Sequence, residues 1–222
     1  MDDSERVQGQ VRRSGASGAF QGGGTLFTEP VLVVNQKTKL IELTNEFSVF
    51  DANGTQLGSV RQTGQSTLKK AARLLTSLDQ YMTHTLEIAD AAGATQLRLT
   101  RPAKIFKSTI VVARPDGSEV GRIVQENMIG KIRFGLEADG RRVGAIQGEN
   151  WRAWNFAITD ETGAEVARIT KTWEGLARTL FTTADHYVVQ FHQQLMNPLL
   201  SLVVASALSV DTALKQDKRG WN

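Results

Sequence analysis

One apolar segment near the end of the chain constrains the fold more than any other feature. Leucine, valine and alanine residues occupy every side of a helix over residues 198–210, and Asn197 followed by Pro198 is a typical helix start. A helix that is apolar all round is either deeply buried or in lipid. This one rises only about 20 Å, whereas a bilayer core requires about 30 Å. We therefore predict that it fills the core of a domain and that the chain has no integral membrane span.

The same segment predicts which side chains form the centre of that core. They are Leu199, Leu202, Val203 and Leu208. The three serines of the segment can donate hydrogen bonds back to helix carbonyls, so they need no water. Burial of about eight aliphatic side chains at ~1.5–3 kcal/mol each would make this helix the main source of core stability.

A turn signal recurs along the middle of the chain. Asp, Asn or Glu stands shortly before a glycine in the segments DANG (51–54), DAAG (90–93), RPDG (114–117), EADG (137–140) and DETG (160–163). Glycine supplies the positive φ that tight hairpin turns require. The flanks alternate between apolar and polar residues, which is typical of antiparallel strands. Roughly twelve such strands, joined by hairpins, favour a closed barrel or a sandwich, because closure removes exposed edges.

The remaining segments divide the chain further. Helical spacing of apolar residues after Ser66 predicts an amphipathic helix over residues 66–80. We expect it on the outside of the barrel or across one end, and the alternative is contact with a lipid surface. The composition of residues 1–24 predicts a disordered Gly/Ser-rich tail. Residues 25–215 then form the barrel domain, and residues 216–222 a short basic tail.

Composition excludes several kinds of chemistry. The chain has no cysteine, so it has no disulfide, thiolate zinc ligand or cysteine nucleophile. His84, His186 and His192 do not have metal-binding spacing, and no phosphate-loop, dinucleotide or nucleophile-elbow motif occurs. We therefore predict no catalytic, cofactor-binding or metal site, and the protein is not expected to be an enzyme.

Residues 167–191 resemble the conserved stretch of the phospholipid scramblases, members of the tubby C-terminal-like superfamily. The matching positions are Ile169, Lys171, Trp173, Gly175, Leu176, Phe181, Thr182, Asp185, Val189, Gln190 and Phe191. Val210–Asp211 resembles the end of the family's final helix, and residues 32–54 resemble its opening hairpins and those of LURP-one-related proteins. The resemblance implies a mainly β (α+β) fold, in which a tubby-like antiparallel barrel of about twelve strands encloses the apolar C-terminal helix.

The resemblance also bears on calcium. The scramblase calcium loop is rich in Asp and Asn, whereas the corresponding TTADHY segment has Asp185 as its single carboxylate. Calcium prefers six to eight oxygen ligands, several of them charged. Asp185 is therefore a degenerate metal candidate, and we expect no calcium or other cofactor.

The function implied by the resemblance is that of a lipid-associated, phospholipid scramblase-like protein linked to transbilayer phospholipid movement. We expect it in the cytoplasm, peripheral at the inner face of the plasma membrane, on an anionic phospholipid surface and without nucleic acid. The candidate headgroup contacts are Lys69, Lys70, Arg73, Arg141, Arg142 and Lys171. Alternatively, these cations belong to a solvated face balanced by acids, and the barrel is a soluble ligand-binding or scaffold protein. The sequence does not indicate the oligomeric state.

Overall fold

The protein is a closed antiparallel β-barrel with two helices. The computed structural model describes residues 3–36, 46–63, 84–102, 109–127, 133–150, 155–172 and 186–217. The strands within these ranges are β1 (Val31–Gln36), β2 (Glu46–Phe50), β3 (Gln56–Thr63), β4 (His84–Asp90), β5 (Thr95–Arg101), β6 (Thr109–Ala113), β7 (Glu119–Gln125), β8 (Arg133–Ala138), β9 (Arg141–Asn150), β10 (Asn155–Asp160), β11 (Glu165–Lys171) and β12 (His186–Phe191). The helices are α1 (Asp3–Ser14) and α2 (Leu199–Asp217).

Strand order follows the chain all the way around the barrel. Each strand pairs with the next one in sequence, and β1 closes the barrel by pairing with β12. In that closing pair, Val31 lies opposite Gln190 and Asn35 opposite His186. The predicted fold, a mainly β barrel of about twelve antiparallel strands with a C-terminal helix, is confirmed.

Tight turns lie at one end of the barrel. They connect β2 to β3, β4 to β5, β6 to β7, β8 to β9 and β10 to β11. The glycines of the five predicted turn segments all have positive φ, between 71° and 96°. In the first turn, Asp51 Oδ1 accepts the N–H groups of Asn53 (2.9 Å) and Thr55 (2.8 Å). Asp160 does the same for Thr162 and Ala164. We call this the turn end and define it as the five turns with one strand residue on each side: residues 50–56, 90–95, 113–119, 138–141 and 160–165.

Helix α2 lies in the barrel core. Its residues Leu202, Val203, Val204 and Ala205 are all 0% exposed and belong to the same apolar cluster as the inward side chains of the strands. Leu208 is also buried in this cluster, and Leu199 packs against it from a partly buried position. Among the described residues, no helix combines the length and apolar character needed to cross a bilayer.

The serines of α2 find partners within the helix and its first turn. Ser206 Oγ donates to the Leu202 carbonyl at 2.5 Å, and Ser209 Oγ donates to the Ser206 carbonyl at 3.4 Å. Ser201 differs from the prediction, because its hydroxyl donates to the side-chain oxygen of Asn197 at 2.6 Å. The three hydroxyls are therefore accommodated in an apolar interior, and Asn197 orients the start of the helix through Ser201.

Two glycines let α2 approach the barrel wall. A Cβ on Gly121 of β7 would lie 3.2 Å from Leu202 Cδ1 and 2.2 Å from the Glu137 carbonyl oxygen. A Cβ on Gly144 of β9 would lie 3.1 Å from Leu199 Cδ1. These strand glycines are therefore packing residues, a role that the turn pattern of the sequence does not indicate.

Helix α1 replaces part of the predicted disordered tail. Val7 is buried against Val31, Val33 and Val188 on the outer face of β1 and β12, in an apolar cluster separate from the barrel interior. Further along the predicted tail, Phe20 packs against the main core. The disorder prediction for residues 1–24 therefore fails over this helix, because its few apolar side chains gain a partner surface on the barrel.

Two further predictions concern segments that lie wholly or partly outside the described ranges. The amphipathic helix predicted for residues 66–80 lies outside the described residues. Helix α2 ends at Asp217, so the basic tail predicted for residues 216–222 is helical at its first two positions. Residues 218–222 also lie outside the described part of the chain.

Candidate functional site

The structure separates the predicted headgroup residues that it describes. Arg141 and Arg142 begin β9 next to the turn that follows β8, whereas Lys171 ends β11 at the opposite end of the barrel. Lys69, Lys70 and Arg73 lie outside the described residues. The predicted set therefore does not form one patch over the described surface.

Lys171 faces an aromatic side chain. It lies opposite Tyr187 in the β11–β12 ladder, and its Nζ is 5.8 Å from the centroid of the Tyr187 ring. Tyr187 is a buried member of the barrel core, so the side chain of Lys171 is directed toward the barrel interior. A cation in this position is held by the ring quadrupole and is poorly placed to meet a flat external surface.

Arg142 on β9 is held by the carboxylate of Glu126, which follows β7. Its Nη1 donates to Glu126 Oε1, and Glu126 Oε2 lies 4.0 Å from Arg133 Nε. Glu126 directly follows β7, where its N–H donates to the Arg133 carbonyl at 2.9 Å. Two arginines from neighbouring strands thus converge on a single carboxylate.

Other outward arginines also have acidic partners. Arg98 on β5 donates to Glu87 on β4 at 3.1 Å, and Arg122 pairs with Glu119 at 2.8 Å. The hydrogen bond between these two side chains lowers the pKa of Glu119 and raises the pKa of Arg122. These pairs favour the alternative of a solvated, charge-balanced outer face for the strands concerned, and exposed pairs of this kind contribute little to stability.

A third network lies beside the connection from β12 to α2. Glu165 accepts hydrogen bonds from both side-chain nitrogens Nε and Nη2 of Arg168, at 2.7 and 2.6 Å, and from His192 Nε2 at 3.1 Å. Burial raises the pKa of Glu165, but the bonds from Arg168 and His192 outweigh it and lower the pKa overall. The carboxylate is therefore ionised at neutral pH and orients the imidazole.

His186 and His192 do not converge. His186 begins β12 and His192 directly follows its other end, and His186 Nδ1 bonds to Asn35 Oδ1 at 2.8 Å. Within the described ranges, no group of three or more His, Cys, Asp or Glu side chains is arranged to hold a metal ion. The degenerate candidate Asp185 lies outside those ranges, and the side chain of His84 is likewise undescribed.

Charge is distributed unevenly between the turn end and the rest of the protein. The turn end contains eight acidic and two basic residues, which are Asp51, Asp90, Asp116, Glu119, Asp139, Asp160, Glu161 and Glu165 against Arg114 and Arg141. The whole chain has 26 basic and 23 acidic residues, so 24 basic and 15 acidic residues remain elsewhere. The turn end thus carries a charge of −6, whereas the rest of the sequence sums to +9 and much of that excess lies outside the described ranges. An anionic surface would repel the turn end.

Sequence reasoning missed Glu126. It singled out the cations but not the carboxylate that joins two of them, because Glu126 and Arg142 are 16 residues apart and meet only across β8. Alternation along β7 and β8 could have placed Glu126 and Arg133 beside each other. The reach of Arg142 depends on the register of β9, which the sequence does not specify.

Comparisons with known proteins identify the family of this barrel. The Scramblase family model matches residues 21–214, and the chain belongs to that family. The resemblance to phospholipid scramblases predicted from the sequence is therefore confirmed.

Two curated yeast proteins are similar to this chain. "Altered inheritance rate of mitochondria protein 25" of Saccharomyces cerevisiae is 23% identical over 201 residues, which cover 77% of this chain and 61% of that protein. A Schizosaccharomyces pombe protein named as a phospholipid scramblase family protein is 24% identical over 185 residues, covering 75% of this chain and 47% of its own length. The chain thus spans only about half to three-fifths of these relatives. Among solved structures, an Arabidopsis thaliana protein matches with a TM-score of 0.48 and 13% identity, over 85% of this chain and 99% of that one.

Proposed function

We propose that this protein binds peripherally to anionic phospholipid surfaces and takes part in transbilayer phospholipid movement. The observation that carries the proposal is the family match, because it extends over the barrel and most of its enclosed helix. Movement of a lipid between leaflets makes and breaks no covalent bond, so the activity needs no nucleophile or general base. This agrees with the prediction that the protein is not an enzyme.

The position of α2 determines how such a protein could meet a membrane. Its buried leucines and valines form the centre of the barrel core, so insertion of this helix into lipid would expose the inward faces of the strands. Contact with the bilayer must therefore use the outer surface or the ends of the barrel. The predicted mode of binding is peripheral and electrostatic, with each well-placed Lys or Arg contributing about 1 kcal/mol.

The charge distribution supports one orientation. The acidic turn end is expected to face away from an anionic membrane, so that other parts of the barrel surface meet the bilayer. Among the headgroup candidates, Arg142 lies on the described surface outside the turn end, and Lys69, Lys70 and Arg73 stay candidates from the sequence alone. Arg141 lies within the turn end, and Lys171 is directed inward, so we expect these two to contribute least.

Calcium is not part of the proposed mechanism. The TTADHY segment offers Asp185 as its single carboxylate, which is a poor ligand set for this ion. We expect membrane binding to be the same in calcium and in a calcium chelator. Binding that requires calcium would overturn this part of the proposal.

Two membranes are candidates, the plasma membrane and an organelle membrane. The resemblance to scramblases favours the inner face of the plasma membrane, whereas the name of the Saccharomyces cerevisiae relative refers to mitochondria. Vesicles that contain phosphatidylserine and vesicles that contain cardiolipin distinguish these alternatives. Preferential binding to cardiolipin would favour a mitochondrial membrane.

Vesicle co-sedimentation at low and high salt tests the proposal. We expect binding to anionic vesicles at low salt, loss of binding at high salt, and little binding to neutral phosphatidylcholine vesicles. Reconstitution with a fluorescent phospholipid, followed by quenching of the outer leaflet, then tests transbilayer movement. Acceleration of lipid exchange between leaflets supports a scramblase-type activity, and an unchanged rate limits the function to lipid binding.

The second candidate is a ligand-binding or scaffold protein that uses the same barrel without a membrane. The pairing of Arg98 and Arg122 with acidic neighbours favours it. Absence of vesicle binding even at low salt would support this alternative. Binding to duplex DNA, which we do not expect, would be detected as an affinity that falls steeply with salt.

A further inference from the structure

The carboxylate of Glu126 lies between two arginines at a place where the barrel surface has a gap. Gly135 stands on the outer face of β8, between Arg133 and Glu137. A Cβ at this glycine would lie 2.9 Å from Glu126 Oε1. The carboxylate therefore rests over bare backbone, where any larger residue would displace it.

The site is accessible from solvent. The side chains of Arg133 and Arg142 are 53% and 50% exposed, and that of Glu126 is 26% exposed. Glu137 lies opposite Arg142 in the ladder and beside Arg122, which is itself paired with Glu119. Without Glu126, the two guanidinium groups would flank the bare backbone at Gly135, with Glu137 opposite Arg142 in the ladder.

We propose that Arg133 and Arg142 form a binding site for a phosphate group, and that Glu126 occupies this site as an internal competitor. Paired guanidinium groups match phosphate oxygens well, because each presents several N–H donors in one plane. An exposed ion pair contributes little to stability, so an external phosphate can replace the carboxylate. The arrangement makes the affinity for phosphate depend on the position of a single glutamate.

The source of the phosphate follows from the proposed function, on which this step rests. A phospholipid headgroup is the expected ligand, and a free phosphate ester has the same chemistry. Vesicles that contain phosphatidic acid test the first source, and soluble glycerol 3-phosphate tests the second. The two measurements separate failure of the site from failure of the lipid function.

Four variants of the full chain isolate the role of Glu126. Glu126→Gln removes the competing charge, and Gly135→Ala displaces the same carboxylate without any change in net charge. The double variant Arg133→Gln/Arg142→Gln removes the site. Glu87→Gln is the matched control, because Glu87 forms a comparable cross-strand pair with Arg98 on another part of the barrel.

The expected result is a higher affinity for phosphatidic acid vesicles whenever the Glu126 carboxylate is removed or displaced from the two arginines. Glu126→Gln and Gly135→Ala should each bind phosphatidic acid vesicles about fivefold more tightly than wild type, and the double variant about fivefold more weakly. Glu87→Gln should change the affinity by less than about twofold. Equal gains for Glu126→Gln and Glu87→Gln with no gain for Gly135→Ala would show a general charge effect and overturn the proposal.

The remaining outcomes are also decisive. If wild type and all variants bind vesicles equally, the site is wrong and the peripheral lipid function stands. If none binds vesicles but Glu126→Gln binds glycerol 3-phosphate more tightly than wild type, the phosphate site stands and the lipid function is wrong. If no variant binds either ligand, both proposals are overturned.

Discussion

Leu202 of helix α2 lies directly against the bare backbone of Gly121 on β7. Its Cδ1 atom is 3.2 Å from the position that a Cβ on Gly121 would take. The helix and the barrel wall are therefore in contact at a point where neither side has room for another atom. Close packing of this kind makes the barrel dependent on the helix that it encloses.

The first prediction is that Leu202→Asp abolishes folding. Leu202 is 0% exposed in the apolar core, so the new carboxylate would be buried without a partner. We expect insoluble protein or loss of the β-sheet circular dichroism signal. The milder Leu202→Ala should fold but lose about 2–5 kcal/mol of unfolding free energy through the cavity that it leaves.

The control for this prediction is Met196→Asp. Met196 precedes α2 and is 83% exposed, so a charge there should leave the fold unchanged. A soluble Leu202→Asp protein with native circular dichroism would show that α2 is not needed for the core. It would also remove the reason for peripheral rather than inserted membrane binding.

The second prediction concerns the wall glycine Gly144. A Cβ there would lie 2.5 Å from the Thr159 carbonyl oxygen as well as close to Leu199. Gly144→Ala should therefore lower the unfolding free energy by about 1–3 kcal/mol, measured as a shift of the urea midpoint. Gly135→Ala is the control, since its Cβ would meet the flexible end of Glu126. Equal effects of the two substitutions would show that close packing of Gly144 against the Thr159 backbone and Leu199 is not the cause.

Much of the barrel can be predicted from local sequence signals. The alternation that places Leu97 and Leu99 inward is confirmed by their burial, and Arg98 between them pairs with Glu87 on the outer face. The turn glycines Gly117 and Gly163 have the positive φ that their segments indicate. These features depend on residues near in sequence, so period and turn chemistry suffice to locate them.

Features that depend on tertiary contacts could not be predicted in the same way. The sequence of α1 offers mainly Val7 and Val11 as apolar residues, and only the outer face of the barrel makes them a packing surface. The Glu126–Arg142 pair depends on strand register and on the gap at Gly135. Registers and packing surfaces are global properties, and local pattern does not encode them strongly.

The third prediction is that Gln10→Leu stabilises the protein. Gln10 lies in the interface between α1 and the barrel at 0% exposure, and neither atom of its amide has a hydrogen-bond partner in the described ranges. Such a group costs about 1–3 kcal/mol, which an apolar side chain of similar size would recover in part. The expected result is a higher thermal midpoint and slower hydrogen exchange in α1.

Gln8→Leu provides the comparison for this change. Gln8 is exposed on the other side of α1, so the same substitution there should not stabilise the protein. A gain at both positions would reflect helix propensity. A loss at Gln10 would show that its amide makes a bond that matters for docking of the helix.

The last prediction is a dependence of stability on pH through Glu165. Its folded-state pKa lies below the ordinary value of 4.5, because the bonds from Arg168 and His192 outweigh the effect of burial. A lowered folded pKa means that the contribution is complete above about pH 4.5 and is lost as the pH falls through the folded value. The unfolding free energy of wild type should therefore exceed that of Glu165→Gln by up to about 1 kcal/mol at neutral pH and converge with it in acid. Glu161→Gln removes the same charge from the adjacent turn and should show no such convergence. A constant difference between wild type and Glu165→Gln from neutral to acid pH would mean that the ionised carboxylate is not what stabilises this network.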